Sequence, residues 1–351
     1  MSIPPDQPPQ GGWPAPPGWT APQGWNAPAP GPPAGGPGLS LPPGWGQQPM
    51  AAPQPGVIPL RPLALDDFFS GTFRTLRGNW RPMLAVSALV TAIVALLSLP
   101  VVFNAHEVVR ALLDTASLNS ETSQAELDAA INDVVDAGIA FLPWLLYSAV
   151  LGFVAIVFVD AGISFVTSRA VLGKSTSAGA AVSALAKRTV HLAGLAFLMS
   201  VSILAGYLLC VLPGFILSLL LFAAPSISVL EDATIGGSYR RSFQIAGQSF
   251  WRVIGILLLV QLLFGIAIQV VSSPFSFIVG LGPLGAASSS EVGDVPIALL
   301  LASYLVVWLF SLLCYPLVSV GKTLLYIDQR MRHEGLADAL IASSRSSSST
   351  G

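Results

Sequence analysis

Charged side chains are scarce in this sequence. Asp, Glu, Lys and Arg make up only 10% of its 351 residues, whereas 53% are hydrophobic. Soluble domains carry about 25% charged residues, so this balance excludes an ordinary soluble domain. An early apolar run after a charged start, as in a cleavable signal peptide, is also lacking, because the first apolar run begins only near Met83. We therefore predict a polytopic membrane protein whose first span is its own insertion signal.

Cysteine and histidine are rare as well. Cys210 and Cys314 both fall inside apolar runs, where a thiol behaves as a small hydrophobe. The three histidines are far apart, and neither a phosphate-binding glycine loop nor a nucleophile elbow occurs. The basic clusters lack the density and the aromatic platforms of a nucleic-acid surface. The sequence thus predicts no disulfide, no metal, no cofactor, no catalytic residue and no nucleic-acid partner.

Long apolar runs are what the sequence has instead. A span needs roughly 20 apolar residues for a hydrocarbon core of about 30 Å. Pro213-Gly214 stands between two such runs, and because Pro fixes φ and Gly frees the backbone, it predicts a tight outer turn at 212–215. We predict an all-α membrane domain, 61–335, with six transmembrane helices in three hairpins. The predicted spans are 83–102, 139–166, 191–212, 215–229, 253–278 and 297–320.

Basic residues lie almost entirely on one side of this predicted bundle. Of the 16 Lys and Arg residues, 15 fall in the segments placed inside, and only Arg110 falls outside. The positive-inside rule then predicts a plasma-membrane protein with both termini in the cytoplasm. The cytoplasmic segments are 1–82, 167–190, 231–252 and 321–351.

The first outer connection, 104–138, is the longest polar segment between spans. It holds seven carboxylates, without the spacing of a calcium loop, so a solvated acidic face is favoured over cation capture. Ser123 and Glu126 form a capping box, which predicts that a helix begins near Ala125 and continues into the second span.

Each predicted hairpin follows a cytoplasmic amphipathic segment. The junctions between segment and span lie at 78–81, 187–191 and 248–252, and they predict a quasi-repeat of interfacial helix plus hairpin. Basic side chains there would meet anionic lipid, at about 1 kcal/mol each near a charged leaflet. The lipid-headgroup candidates are Arg74, Arg77, Arg81, Arg240, Arg241, Arg252, Trp80 and Trp251.

Three polar side chains stand out inside the predicted spans: Asp160, Gln261 and Gln269. Intramembrane charge is costly and is usually retained for function, so Asp160 is a candidate for proton relay or cation binding. We favour the simpler interpretation, in which Asp160 pairs with Arg169 or reaches toward the interface. The two glutamines lie eight residues apart, and hydrogen bonds between helices account for them.

The two ends of the chain have a different composition. Residues 1–60 contain a single charged residue and repeat a Gly-Trp pair every six residues, so they predict a disordered, Pro-rich cytoplasmic tail. The evenly spaced Trp residues are typical either of a multivalent contact with a protein partner or with lipid headgroups, or of low-complexity sequence, and we favour the last of these. Residues 336–351 predict a flexible cytoplasmic C-terminal tail.

Three stretches, in order, resemble a known family. They are RPLALDDFFSGTFRTLRGNWRPML, then VLPGFILSLLLFAAPSISVLEDATIGGSYRRSFQIAGQSFWRVIGI, then LLYIDQRMRHEGLADAL. They resemble bacterial multi-pass proteins labelled "glycerophosphoryl diester phosphodiesterase membrane domain", or left as uncharacterised integral membrane proteins, over about residues 57–340.

The family label implies a phosphodiesterase, but the residues argue against catalysis. The soluble enzymes use a His-Arg pair, a Glu-x-Asp element and a later His around a metal, whereas Glu126-Leu127-Asp128 has no histidine partners here. The resemblance therefore implies the membrane half without the catalytic half. We expect a non-enzymatic protein that organises lipid or acts as a scaffold. The alternative is a small transporter or channel component with a path through the helix bundle.

Overall fold

The computed structural model describes residues 56–59, 61–116, 118, 122–286 and 297–336. Within these residues all regular secondary structure is α-helical, and six segments are long and apolar enough to cross a membrane. The predicted all-α, six-span fold is confirmed. The helices are α1 (Leu65–Leu97), α2 (Leu99–Ala116), α3 (Gln124–Val171), α4 (Ala178–Lys187), α5 (Thr189–Leu209), α6 (Val211–Leu220), α7 (Ala224–Leu230), α8 (Ile235–Gln248), α9 (Phe250–Ala286) and α10 (Ile297–His333).

A single non-helical residue joins each amphipathic segment to the span that comes after it. Asn79, inside α1, has φ −130° and ψ 28°. Arg188, between α4 and α5, has φ −117° and ψ 12°, and Ser249, between α8 and α9, has φ −139° and ψ 52°. The three residues interrupt the helix in a similar way, without a loop. The quasi-repeat suggested by the sequence is therefore present in the backbone.

The second hairpin reverses earlier than the sequence predicts. Helix α5 ends at Leu209 and α6 begins at Val211, so the extended residue Cys210 makes the turn. Pro213 and Gly214 lie in the first turn of α6, where a missing amide proton costs little. A Cβ added to Gly206 of α5 would lie 2.7 Å from the Gly214 Cα, so the two helices touch through glycines. The predicted turn at 212–215 is wrong. Pro213 lies instead in the first turn of a helix, and Gly214 allows that helix to pack closely against α5.

Helices also extend beyond several predicted boundaries. The first outer connection is partly helical, because α2 fills residues 99–116. The predicted capping box is present at the start of α3, where the Ser123 hydroxyl accepts from the Glu126 amide and the Glu126 carboxylate accepts from the Ser123 amide. Helix α10 runs 13 residues past the predicted end of the last span, to His333.

The predicted tails lie largely outside the described residues. The exceptions are 56–59 and Leu336. Ile58 is fully buried, and a Cβ added to Gly56 would lie 2.3 Å from the Ala170 carbonyl oxygen near the end of α3. The packed membrane domain therefore begins before the predicted boundary at residue 61.

Three of the buried hydroxyl groups meet in the core of the bundle, one from the second arm of each hairpin. The Ser164 hydroxyl of α3 lies 2.7 Å from that of Ser226 in α7 and 2.8 Å from that of Thr323 in α10. All three side chains are buried. Hydrogen bonds between helices are favoured in lipid, where the alternative is an unsatisfied hydroxyl. The second arms of all three hairpins therefore meet at this point.

Replacing Gly206 with Ala should destabilise the protein, because the new Cβ would press on the backbone of α6. We expect a loss of about 1–3 kcal/mol in the free energy of unfolding, as for other overpacked sites. Gly255→Ala is the matched control, since a Cβ added there meets no atom within 4 Å. Thermal unfolding in detergent compares the two, and equal midpoints for both variants would contradict the close contact between α5 and α6.

Candidate functional site

Asp160 lies inside the bundle, and its partners come from α10. The side chain is 6% exposed and accepts a hydrogen bond from Lys322 Nζ at 2.9 Å. The Ser319 hydroxyl donates to the other carboxylate oxygen. Asp160 thus pairs with Lys322 rather than with Arg169, whose guanidinium lies 5.8 Å from the Phe165 ring centroid. The predicted pair with Arg169 within α3 is therefore wrong, and the ion pair instead joins α3 to α10.

Lys322 is the functional candidate that the sequence reasoning missed. Charge counting assigned it to the cytoplasmic C-terminal segment, because it comes after the predicted end of the last span at residue 320. A signal was nevertheless available, since Ser319 and Lys322 lie three residues apart and therefore share one face of a helix.

A cavity of about 220 Å³ adjoins this ion pair. Asp160, Lys322 and Gln261 all line it, together with Tyr207 and Ser218. Gln261 is exposed, and Tyr207 is 39% exposed, so the cavity reaches the outer surface of the bundle beside these two side chains. Two of the three predicted intramembrane polar residues are therefore brought together. The third, Gln269, lies two turns further along α9 and does not line the cavity.

A second polar centre lies near the start of α9 and the end of α10, around Asp328. This carboxylate is 1% exposed and forms ion pairs with Arg252 at 3.1 Å and Arg332 at 3.0 Å. It also accepts from the Leu63 amide at 2.8 Å, while both guanidinium groups donate to the Leu63 carbonyl. The segment before α1 is thus fixed to the third hairpin.

Glu231 organises a third polar centre, at the end of α7. Its carboxylate accepts a hydrogen bond from the Tyr326 hydroxyl at 2.6 Å and forms ion pairs with Arg241 at 3.4 Å and Arg330 at 3.5 Å. Both arginines also pair with Glu334 at the end of α10. The second and third hairpins are therefore joined by alternating charges.

The predicted headgroup residues divide into two groups. The guanidinium groups of Arg241 and Arg252 form ion pairs with carboxylates of the protein itself. Trp80 is 51% exposed and Trp251 is 83% exposed, and the Arg81 guanidinium lies 5.3 Å from the Trp80 ring centroid. The remaining arginines among the candidates are exposed as well: Arg74, Arg77, Arg81 and Arg240.

Among the described residues, no group of three or more His, Cys, Asp or Glu side chains is arranged to hold a metal ion. The Glu126 carboxylate, which belongs to the Glu-x-Asp spacing in the sequence, is used by the Ser123 cap.

Comparison with known proteins gives one match. Residues 65–284, from the start of α1 almost to the end of α9, match the model of an uncharacterised protein family, UPF0259. No curated protein and no solved structure matches the chain.

Substituting Asn for Asp328 should destabilise the domain by about 3 kcal/mol, because two guanidinium groups lose their shared counter-charge. Asp232→Asn is the matched control. Asp232 also pairs with an arginine, Arg188, but its side chain is 80% exposed, and exposed pairs contribute below about 1 kcal/mol. Chemical denaturation in detergent measures the free energy of unfolding of both variants. A similarly small loss in the two would contradict a structural role for the buried Asp328 carboxylate.

Proposed function

Since the chain belongs to the uncharacterised protein family UPF0259, whose description assigns no activity, we propose its function from the geometry. We propose that it is a non-enzymatic multi-pass protein that organises anionic lipid at the cytoplasmic face of the bacterial plasma membrane. One observation carries this proposal. A large apolar side chain is exposed two residues or fewer after each junction residue: Trp80 at 51%, Val190 at 87% and Trp251 at 83%.

Exposed tryptophan is typical of the membrane–water interface, because the indole is apolar on one side and donates a hydrogen bond on the other. The three exposed side chains occupy equivalent places in the quasi-repeat, at the start of each hairpin. They support an arrangement in which the first part of α1, α4 and α8 lie along the headgroups while the helices after them enter the hydrocarbon.

The exposed basic side chains of α1 support a preference for anionic lipid. Arg74, Arg77 and Arg81 are exposed, and the ion pairs among the described residues engage none of them. At about 1 kcal/mol for each charge near an anionic leaflet, they contribute about 3 kcal/mol together.

Two further features of the sequence bear on function, the resemblance to a labelled membrane domain and the N-terminal tail. We take the resemblance to the "glycerophosphoryl diester phosphodiesterase membrane domain" to concern the membrane half alone, because the sequence lacks the His-Arg pair of the soluble enzymes. Of the interpretations of residues 1–60, a tether for a protein partner is the one that a binding experiment can contradict, and we propose it for that reason. Cross-linking pull-down with and without residues 1–60 tests that role, which fails if both forms recover the same proteins.

A transporter or channel component is the second candidate function. The cavity beside Asp160, Lys322 and Gln261 favours it, since polar groups within a bundle tend to mark a substrate or ion path. Loss of transport in Asp160→Asn, with normal lipid contacts, would favour this candidate over lipid organisation.

The proposed orientation predicts which cysteines an impermeant thiol reagent can reach. In a Cys210→Ser background, Ala129→Cys at the start of α3 should be labelled in intact spheroplasts. Gln244→Cys on α8 should be labelled only after the membrane is opened. Both positions are exposed, so access decides the result. Labelling of Gln244→Cys in intact spheroplasts would show that α8 lies outside and would contradict the proposed orientation.

Removing the arginines of α1 should reduce the preference for anionic lipid. We expect Arg74→Gln/Arg77→Gln/Arg81→Gln to weaken it by on the order of a hundredfold, from about 3 kcal/mol of lost attraction. Native mass spectrometry of the full chain from nanodiscs of mixed anionic and zwitterionic lipid counts the lipids retained. Lys174→Gln, an exposed charge outside the amphipathic helices, is the control. An unchanged lipid profile in the triple variant would contradict the lipid-organising role.

A further inference from the structure

The cavity beside Asp160 and Lys322 presents one charge of each sign. Each carboxylate oxygen of Asp160 accepts one hydrogen bond, from Ser319 or from Lys322, so further lone pairs remain. One ammonium proton of Lys322 goes to Asp160, and the ammonium group carries two more. The ion pair therefore keeps both acceptor and donor capacity, and both of its side chains line the cavity.

The size and polarity of the cavity suit a small polar molecule. Its volume of about 220 Å³ equals that of about seven waters in the liquid. Gln261 adds an amide with both donors and an acceptor, and Ser218 and Tyr207 add hydroxyl groups to the lining. The other ten lining residues are apolar, as is usual in pockets that bind small molecules, whereas a dry packing defect has no polar side chains in its lining.

The paired charges select the class of ligand. A simple anion attracted to Lys322 is repelled by Asp160, and a simple cation attracted to Asp160 is repelled by Lys322, because the charged atoms of the pair lie only 2.9 Å apart. A molecule with both charges avoids this conflict when it places its cationic group beside Asp160 and its acidic group beside Lys322.

We propose that this cavity binds a zwitterionic group, an ammonium joined to a phosphate or carboxylate, through Asp160, Lys322 and Gln261. The site is separate from the lipid contacts of the interfacial helices, and it deepens the transport candidate by naming its ligand class. The exposed rim at Gln261 and Tyr207 admits the headgroup of a zwitterionic lipid as well as a free molecule of the same chemistry.

Two binding measurements on the full chain separate these sources. Isothermal titration in detergent uses free phosphoethanolamine, with ethanolamine and glycerol phosphate as probes that carry only one of the two charges. Native mass spectrometry after reconstitution with phosphatidylethanolamine and phosphatidylglycerol reports a retained lipid. We expect the zwitterionic probe, free or as lipid, to bind at least about tenfold more tightly than the singly charged probes.

Three variants test the assignment of residues. Asp160→Asn/Lys322→Met removes both charges together, so that no buried charge is left unpaired. Gln261→Leu removes the amide from the rim and leaves the ion pair intact. Leu262→Ala, next to Gln261 but not part of the cavity lining, is the control. The first two should weaken binding at least about tenfold, whereas the control should bind like the wild type.

The outcomes are distinct. Binding of free phosphoethanolamine assigns the site to a soluble ligand, and retention of phosphatidylethanolamine alone assigns it to a lipid headgroup. The proposal is overturned if neither phosphoethanolamine nor phosphatidylethanolamine binds. It is also overturned if a singly charged probe binds equally well, or if binding is unchanged in the double variant. The lipid preference conferred by the arginines of α1 is measured on different variants, so either role can fail without the other.

Discussion

Hydrogen bonds between buried hydroxyl groups hold the three hairpins together within an apolar bundle. Lipid tails are as apolar as leucine, so helices in a membrane gain little from burying leucine against one another. Ser164 contacts both Ser226 and Thr323. Each hydroxyl has a single proton, so donation by Ser164 or Thr323 to the carbonyl one turn back, of Asp160 or Ser319, is an alternative to donation across the helices. The hydroxyl cluster therefore fixes the relative height of α3 and α10, and with it the ion pair beside the cavity.

The helix ends near Asp328 and Glu231 are joined by charge rather than by hydroxyl groups. Asp328 and Glu231 each engage two arginines, and these four guanidinium groups serve the protein's own packing. The arginines of α1 are placed differently, because they lie on the outer face of an amphipathic helix. A count of positive charges on one side of the predicted bundle treats the two sets alike. Of the two sets, only the arginines of α1 take no part in the ion pairs of the described residues.

The sequence predicts what local patterns determine and fails where tertiary contacts decide. Apolar length identified the spans, and the capping residues identified the start of α3. Pro213-Gly214 was misassigned because a helix start and a turn favour the same residues, and only the glycine contact with Gly206 distinguishes them. Lys322 was missed because its partner lies 162 residues away, and no local pattern reports a contact of that separation. Packing of the segment before α1 likewise depends on contacts distant in the sequence, because Gly56 lies against the carbonyl groups of Ala170 and Val171 in α3.

The quasi-repeat of amphipathic helix, junction residue and hairpin crosses the bilayer an even number of times. A polypeptide built from such modules returns to its starting compartment after every copy. Tandem duplication of one module therefore yields copies of like polarity, related about an axis along the membrane normal, as in parallel-repeat transporters. Insertion of a new module would leave the charge asymmetry of its neighbours intact, so this architecture can grow by whole hairpins while every later hairpin keeps its original orientation.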